Sequence, residues 1–196
     1  MQRCDWAKSN LLIEYHDREW GVPLHDDRRL FEFLILEGAQ AGLSWETVLK
    51  KREQYRLALD GFDFDKIAKY KPKKLAELME NPGLIRNRLK IASTVSNAEA
   101  VLALRKELGS LDAYLWGFVK NAPIQNSWRG VGQVPATTPE SDALSRDLKR
   151  RGFRFVGSTI CYAFMQAVGL VNDHNTSCFR YAEVRELARG PGMRSK

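Results

Sequence analysis

Cys4 and His16 stand near the start of the chain; His174 and Cys178 stand near its end. Two thiols and two imidazoles supply a complete tetrahedral set for zinc, and His-x3-Cys is a common half-site spacing. Four protein ligands leave no open position for water, so such a site is structural rather than catalytic. The halves lie 158 positions apart (174 − 16). One ion would therefore join the first and last parts of the fold and feed its binding energy into folding. Cys-x11-His is not a standard half-site, and the same residues also read as scattered cysteines and histidines.

Two further segments carry chemistry. Glu37 ends an apolar run and is followed by Gly38-Ala39-Gln40-Ala41-Gly42-Leu43-Ser44-Trp45; Tyr15 and Trp20 flank His16. A carboxylate at the edge of a buried helix is costly unless something needs it. Aromatic faces beside it suit a flat, cationic ligand. The plainer reading makes Trp6, Tyr15, Trp20 and Trp45 core residues. The second segment, Asn81 to Lys90, places a Pro-Gly turn before a helix carrying Arg86, Arg88 and Lys90. Backbone N–H groups at such a turn bind phosphate, and basic side chains one turn on would hold the same strand. An ordinary interhelical turn before a solvated basic face fits these residues equally well.

These residues must be positioned by helices, since strand-like alternation is almost absent. Residues 28–37 are apolar nearly all round, as in a buried central helix. Ser44 is placed to cap a helix from Trp45 to Ala58. Pro72 opens a short helix that stops at Asn81-Pro82-Gly83, and an amphipathic stretch runs from Ile85 to Leu108. Thr138-Pro139-Glu140 starts a helix that leaves through Lys149-Arg150-Arg151 and Gly152. Ser158 or Thr159 caps a last core helix, Ile160 to Val168, closed by Gly169. Segments 1–26 and 119–138 read as irregular, and 189–196 as a disordered tail.

Bulk properties narrow the class. With 196 residues, 44% of them hydrophobic, the chain can build one sizeable core. Its 31 basic and 24 acidic residues give +7, which suits a polyanionic partner. No run approaches 18 apolar residues, and no signal peptide is evident. Three widely spaced cysteines argue against a disulfide framework and for a reducing cytosol. Cys161 is expected in the core, and His25 exposed before a helix.

Several blocks together resemble the 3-methyladenine DNA glycosylase I family, bacterial base-excision repair enzymes of the helix-hairpin-helix superfamily. They are Arg3-Cys4-Asp5-Trp6, Tyr15 to Pro23, Leu36 to Trp45, Gly83 to Arg88, Arg151 to Tyr162, and Asn172-Asp173-His174 with Cys178. The resemblance spans residues 1 to about 181. It implies an all-α, compact helical fold of the helix-hairpin-helix glycosylase type, with a zinc site joining the N- and C-terminal segments. Residues 1–188 would form a single unit of two helical lobes with the pocket between them.

The same resemblance implies the roles. Cys4, His16, His174 and Cys178 match ligands of one structural Zn²⁺ per chain. Glu37, the catalytic candidate, and Tyr15 match residues that hydrogen-bond an alkylated adenine. Trp45 matches the stacking residue, with Trp6 nearby. Gly42 and Leu43 fall where the family's loop meets the gap left by an extruded nucleotide, and Leu43 is a sensible wedge. Gly83, Ile85, Arg86, Arg88 and Lys90 would hold DNA. Most superfamily members place a catalytic Asp after the hairpin; none occurs here from Ile91 to Leu111. The implied reaction is release of 3-methyladenine from alkylated double-stranded DNA, without strand cleavage, by a monomer in the bacterial cytoplasm and away from membranes. A zinc hydrolase and a pure DNA-binding module are the rival readings.

Overall fold

The computed structural model describes residues 1–40 and 42–187. The tail expected at 189–196, and residue 188 of the expected unit, lie outside the described residues. The architecture is helical. In chain order the helices are α1 (Asn10–Arg18), α2 (Asp27–Gln40), α3 (Trp45–Ala58), α4 (Phe64–Ile67), α5 (Pro72–Glu80) and α6 (Arg88–Leu108). They continue with α7 (Leu111–Gly117), α8 (Pro139–Arg150), α9 (Ser158–Ala167) and α10 (Phe179–Leu187). Two short parallel strands, β1 (Ile124–Gln125) and β2 (Val171–Asn172), pair Ile124 with Val171 and Gln125 with Asn172.

Local chemistry accounts for most boundaries. Ser9, Ser44, Asn87, Ser110 and Thr138 each accept a first-turn N–H through the side chain. Thr138 and Ser141 satisfy each other reciprocally, and Pro72 and Pro139 sit where a missing N–H does no harm. α2 is buried continuously from Leu30 to Ala39 and packs against α3, α6, α7 and α9. It is therefore the axis of the core and carries Glu37 into it.

Three expectations are corrected. Segment 1–26 is not all irregular: Ser9 caps α1, which turns Tyr15 and His16 inward. Its one-turn apolar spacing is short and easily missed. α6 begins at Arg88 rather than Ile85, because Ile85 N–H is held by Tyr55 Oη at 3.2 Å and the extended Asn87 provides the cap. α9 is capped by neither Ser158 nor Thr159. It starts at Ser158 behind an extended Gly157; α10, which buries only Val184 among its described residues, follows it. Gly169 does end α9's segment, with φ +74°. A Cβ there would lie 2.5 Å from Pro23 N and Val22 C, so only glycine fits.

Candidate active site and metal-ligand cluster

The four ligand-type residues converge. Cys4, His16, His174 and Cys178 are all buried, and their ligand atoms lie within 4.8 Å of one another. Cys178 Sγ is 3.4 Å from His16 Nε2 and 3.6 Å from His174 Nδ1; Cys4 Sγ is 3.7 Å from His174 Nδ1. α1 delivers His16, while the loop between β2 and α10 delivers His174 and Cys178.

The outward nitrogen of each ring is already committed. His16 Nδ1 lies 2.8 Å from Asp17 Oδ1, and a carboxylate can only accept, so Nδ1 carries the proton. Asp17 is in turn gripped by the Arg3 guanidinium at 2.8–3.0 Å. His174 Nε2 donates to Trp20 O at 3.1 Å. Both rings therefore turn a lone pair toward the thiols, and His16 Nε2 accepts Cys4 N–H at 3.4 Å. The contact between the thiols pulls the Cys178 pKa down, helped by both imidazoles, and pushes that of Cys4 up. The Asp17 and Trp20 carbonyl supports were not anticipated; the adjacent pair His16-Asp17 was the available signal.

Beside the cluster opens a cleft of about 510 Å³. Trp6, Leu12, Tyr15 and Trp20 line it from the N-terminal segment, and Glu37, Gln40, Ser44 and Trp45 from α2, α3 and the connection between them. Val131, Val134, Pro135 and Ala136, with residues of α9 and Asp173, complete the lining. Trp6 bridges the two features, with its ring 5.0 Å from Trp20, 5.3 Å from His16 and 6.3 Å from Tyr15. Tyr15 and Trp45 are tilted neighbours at 5.6 Å.

The inner end of the cleft holds three buried polar atoms without a hydrogen-bond partner: Tyr15 Oη, Glu37 Oε2 and Trp45 Nε1. Such groups are rare in folded proteins and costly. Burial raises the Glu37 pKa to about 8. Burial, then the Glu37 charge, holds the Tyr15 phenol well above its ordinary pKa; the Trp45 N–H opposes this weakly without making a hydrogen bond of good geometry. One acceptor, one phenol and one N–H donor, walled by aromatic faces, match a flat heterocycle with polar edges.

The remaining candidates lie apart from the cleft or at its rim. Gly42 (φ +83°) faces open space, and Leu43 after it is 42% exposed, both next to the cleft residue Ser44. Arg86, in the turn between α5 and α6, and Arg88, the first residue of α6, are exposed. Three N–H groups of that turn are consumed internally. Gly83 donates to Asn81 Oδ1 at 2.8 Å, Leu84 to Asn81 O and Ile85 to Tyr55 Oη. Gly83 serves close packing instead, since a Cβ would lie 2.8 Å from Gln54 Cβ. Lys90 is turned inward: its Nζ donates to Ala39 O at 2.8 Å, at the C-terminal end of α2, and burial lowers its pKa. Cys161 is fully buried, with its thiol pushed up to about 12 by burial. His25 is exposed and stacks on Trp116 at 4.4 Å. Asp112 bonds His25 and does not line the cleft.

The chain is similar to known proteins along most of its length. The methyladenine glycosylase family model matches residues 6–181. DNA-3-methyladenine glycosylase 1 of Escherichia coli (strain K12) is 47% identical over 182 residues, 92% of this chain and 97% of that protein. DNA-3-methyladenine glycosylase of Haemophilus influenzae is 50% identical over 177 residues, 90% of this chain and 96% of that protein. A crystal structure of a 3-methyladenine DNA glycosylase I superposes with a TM-score of 0.89 at 52% identity, covering 91% of this chain and 98% of the other.

Proposed function

The chain belongs to the methyladenine glycosylase family, and on that premise we propose that it removes 3-methyladenine from alkylated DNA by hydrolysing the N-glycosyl bond. The observation that carries this reading is the trio of unpartnered buried atoms, Glu37 Oε2, Tyr15 Oη and Trp45 Nε1, in an aromatic cleft. A base inside a duplex cannot reach such a cleft, so the nucleotide is flipped out of the stack. N3-methylation makes adenine cationic and weakens its bond to the sugar, which departs with oxocarbenium character.

Selection then rests on charge. With its pKa raised to about 8 by burial, the Glu37 carboxyl is mostly protonated at pH 7 before a base enters. Ionising it there costs about 1.4 kcal/mol. A cation at about 4 Å returns about 4 kcal/mol at an effective dielectric near 20. A neutral adenine returns nothing comparable. The carboxylate therefore accepts a hydrogen bond from the cationic base, Tyr15 contributes a phenol at its edge, and Trp45 and Trp6 stack or wall it. Water completes hydrolysis and leaves an abasic site. No lysine lines the cleft among the described residues, which supports release of the base without a Schiff base or strand cleavage.

The DNA grip is assigned to Arg86 and Arg88, carried by the packed turn at Gly83 and Ile85, and to the Gly42–Leu43 loop, with Leu43 as wedge. Its substrate is double-stranded DNA, and the enzyme works as a monomer in the bacterial cytoplasm. No described helix is long and apolar enough to cross a membrane. The Cys4, His16, His174 and Cys178 set suits one structural Zn²⁺. The support is the donor chemistry: two thiols that share a charge and two rings whose lone pairs face them. When bound, the ion ties the chain ends together and takes no part in hydrolysis.

The test is direct. Methylated DNA is incubated with the protein, and released bases are separated by chromatography. Free 3-methyladenine, with unbroken strands until the abasic sites are cleaved chemically, is the expected result. Protein that binds DNA but releases no base would reduce it to a binding module.

A further inference from the structure

Asp173 precedes a metal-ligand residue, is 3% exposed and lines the cleft, yet the chemistry above does not use it. Its carboxylate is saturated by four side-chain donors. Oδ1 accepts from Asn126 Nδ2 at 2.6 Å and Trp128 Nε1 at 2.8 Å. Oδ2 accepts from Tyr162 Oη at 2.6 Å and Gln166 Nε2 at 2.7 Å. The first two donors belong to the chain that follows β1; the other two belong to α9. A carboxylate that already accepts from four donors has little capacity left for a ligand, but it is a strong mechanical clasp.

What it clasps forms the outer side of the cleft. Residues 126–128 lead into 131–136, of which Val131, Val134, Pro135 and Ala136 line the same cleft as Tyr15 and Trp45, with Val131 60% exposed at its mouth. Little regular structure holds this stretch. Besides the two-residue β1–β2 pairing, Asn126 N–H bonds Asn172 O, and Thr176 N–H bonds Trp128 O at 2.8 Å. These anchors and the Asp173 clasp lie on residues 171–176, the stretch that contains His174 and runs on to Cys178.

We propose that Asp173 is a positioning residue for base recognition: by tying residues 126–128 to α9, it seats the 131–136 segment as the apolar outer wall of the base pocket. The inference rests on the glycosylase reading above. A seated wall narrows the cleft around the base and keeps water from Glu37, which strengthens every charge interaction there. A released wall leaves the inner residues intact but the base loosely held.

Two variants test it. Trp128→Phe keeps an aromatic side chain, smaller than the indole, and removes one donor from the clasp. Asp173→Asn places an amide where all four neighbours donate. Affinity for free 3-methyladenine, single-turnover base release, bound metal and the salt dependence of binding to undamaged DNA are measured on each. Trp128→Phe should weaken 3-methyladenine binding roughly tenfold, and Asp173→Asn more. Metal content and the salt slope should match the wild type, which a general loosening of the fold would not allow. If Trp128→Phe binds the free base as tightly as the wild type, the proposal is overturned, even if Asp173→Asn fails to fold. It is also overturned if base affinity falls only together with metal content. Wild-type protein that neither binds nor releases 3-methyladenine would instead sink the glycosylase reading itself.

Discussion

Glu37 shows how one side chain can be destabilising and useful at once. It sits in the last full turn of a helix buried from Leu30 to Ala39, with Oε2 unpartnered. Its pKa rises from 4.5 to about 8 through burial. Below pH 4.5 the carboxyl is protonated in folded and unfolded chains alike, and it costs nothing. Between pH 4.5 and 8 the unfolded chain ionises while the fold keeps its proton, so stability falls by up to about 1.4 kcal/mol per pH unit. Glu37→Gln removes that loss. Denaturation curves should therefore show the variant gaining on the wild type as pH rises from 4.5 to 8. A constant gap would mean that the carboxyl is solvated. On the proposed function, the same variant also loses the charge offered to a cationic base. It should slow 3-methyladenine release roughly ten- to a hundredfold, about 1.5–3 kcal/mol, with less effect on DNA binding. Excision at the wild-type rate would return the aromatic cluster to plain core. Buried neighbours show the contrast: Glu32 is equally enclosed but bonded to Arg52 at 2.5 Å and to Arg56, so it reads as structural.

At the scale of elements, the turn from α5 to α6 and the C-terminal end of α2 work as a pair. Arg86 and Arg88 face outward; Lys90, one turn into the hairpin helix, reaches back to the Ala39 carbonyl. An ammonium there satisfies a C-terminal carbonyl and opposes the negative end of the α2 dipole. The sequence suggests that Arg86 and Lys90 both meet phosphates; in the structure Lys90 bonds Ala39 O while Arg86 is exposed. Replacing Arg86 with Ala should reduce the salt dependence of DNA binding by roughly one unit of slope. Lys90→Met should leave the slope unchanged and lower thermal stability instead. Binding isotherms over a salt series check both, and a slope change in Lys90→Met would restore it as a phosphate contact. Gly169 is the most constrained joint between elements. Gly169→Ala must strain a φ of +74° and push against the backbone of Val22 and Pro23. A loss above about 2 kcal/mol is expected, measured by denaturant unfolding.

For the whole molecule, the decisive contact is between the two ends of the chain. α1 and its preceding loop carry Cys4 and His16; the segment after β2 carries His174 and Cys178. Phe179 N–H bonds Gln2 O at 3.1 Å, so the ends meet through backbone as well. Elemental analysis should find one zinc per chain. Cys178→Ala should lose metal and stability together, because ligand binding to the native state adds directly to folding free energy. Metal-free wild-type protein that melts at an unchanged temperature would end the zinc assignment. The base cleft shares Cys4, Trp6 and Asp173 with this region, so chelation should also weaken binding of the free base.

Sequence alone determined what local chemistry controls. α3 runs from Trp45 to Ala58 as Ser44 implies, α5 starts at Pro72, and α8 begins behind Thr138. Caps and prolines act within one turn, so they are legible without a fold. The apolar run around Leu30–Leu36 marked the central helix for the same reason. The ligand quartet and the Glu37 and Trp45 candidates were nameable from residue type and order. Their proximity was not, since nothing in the spacing places His16 3.4 Å from Cys178. Tertiary structure alone decided which way side chains turn. It sent Lys90 inward, joined Asp17 to His16, gathered four donors onto Asp173, and left three polar atoms unpartnered in one cleft. These outcomes depend on contacts between residues far apart in sequence. Such contacts are selected by the packing of the whole core, and no local pattern encodes them.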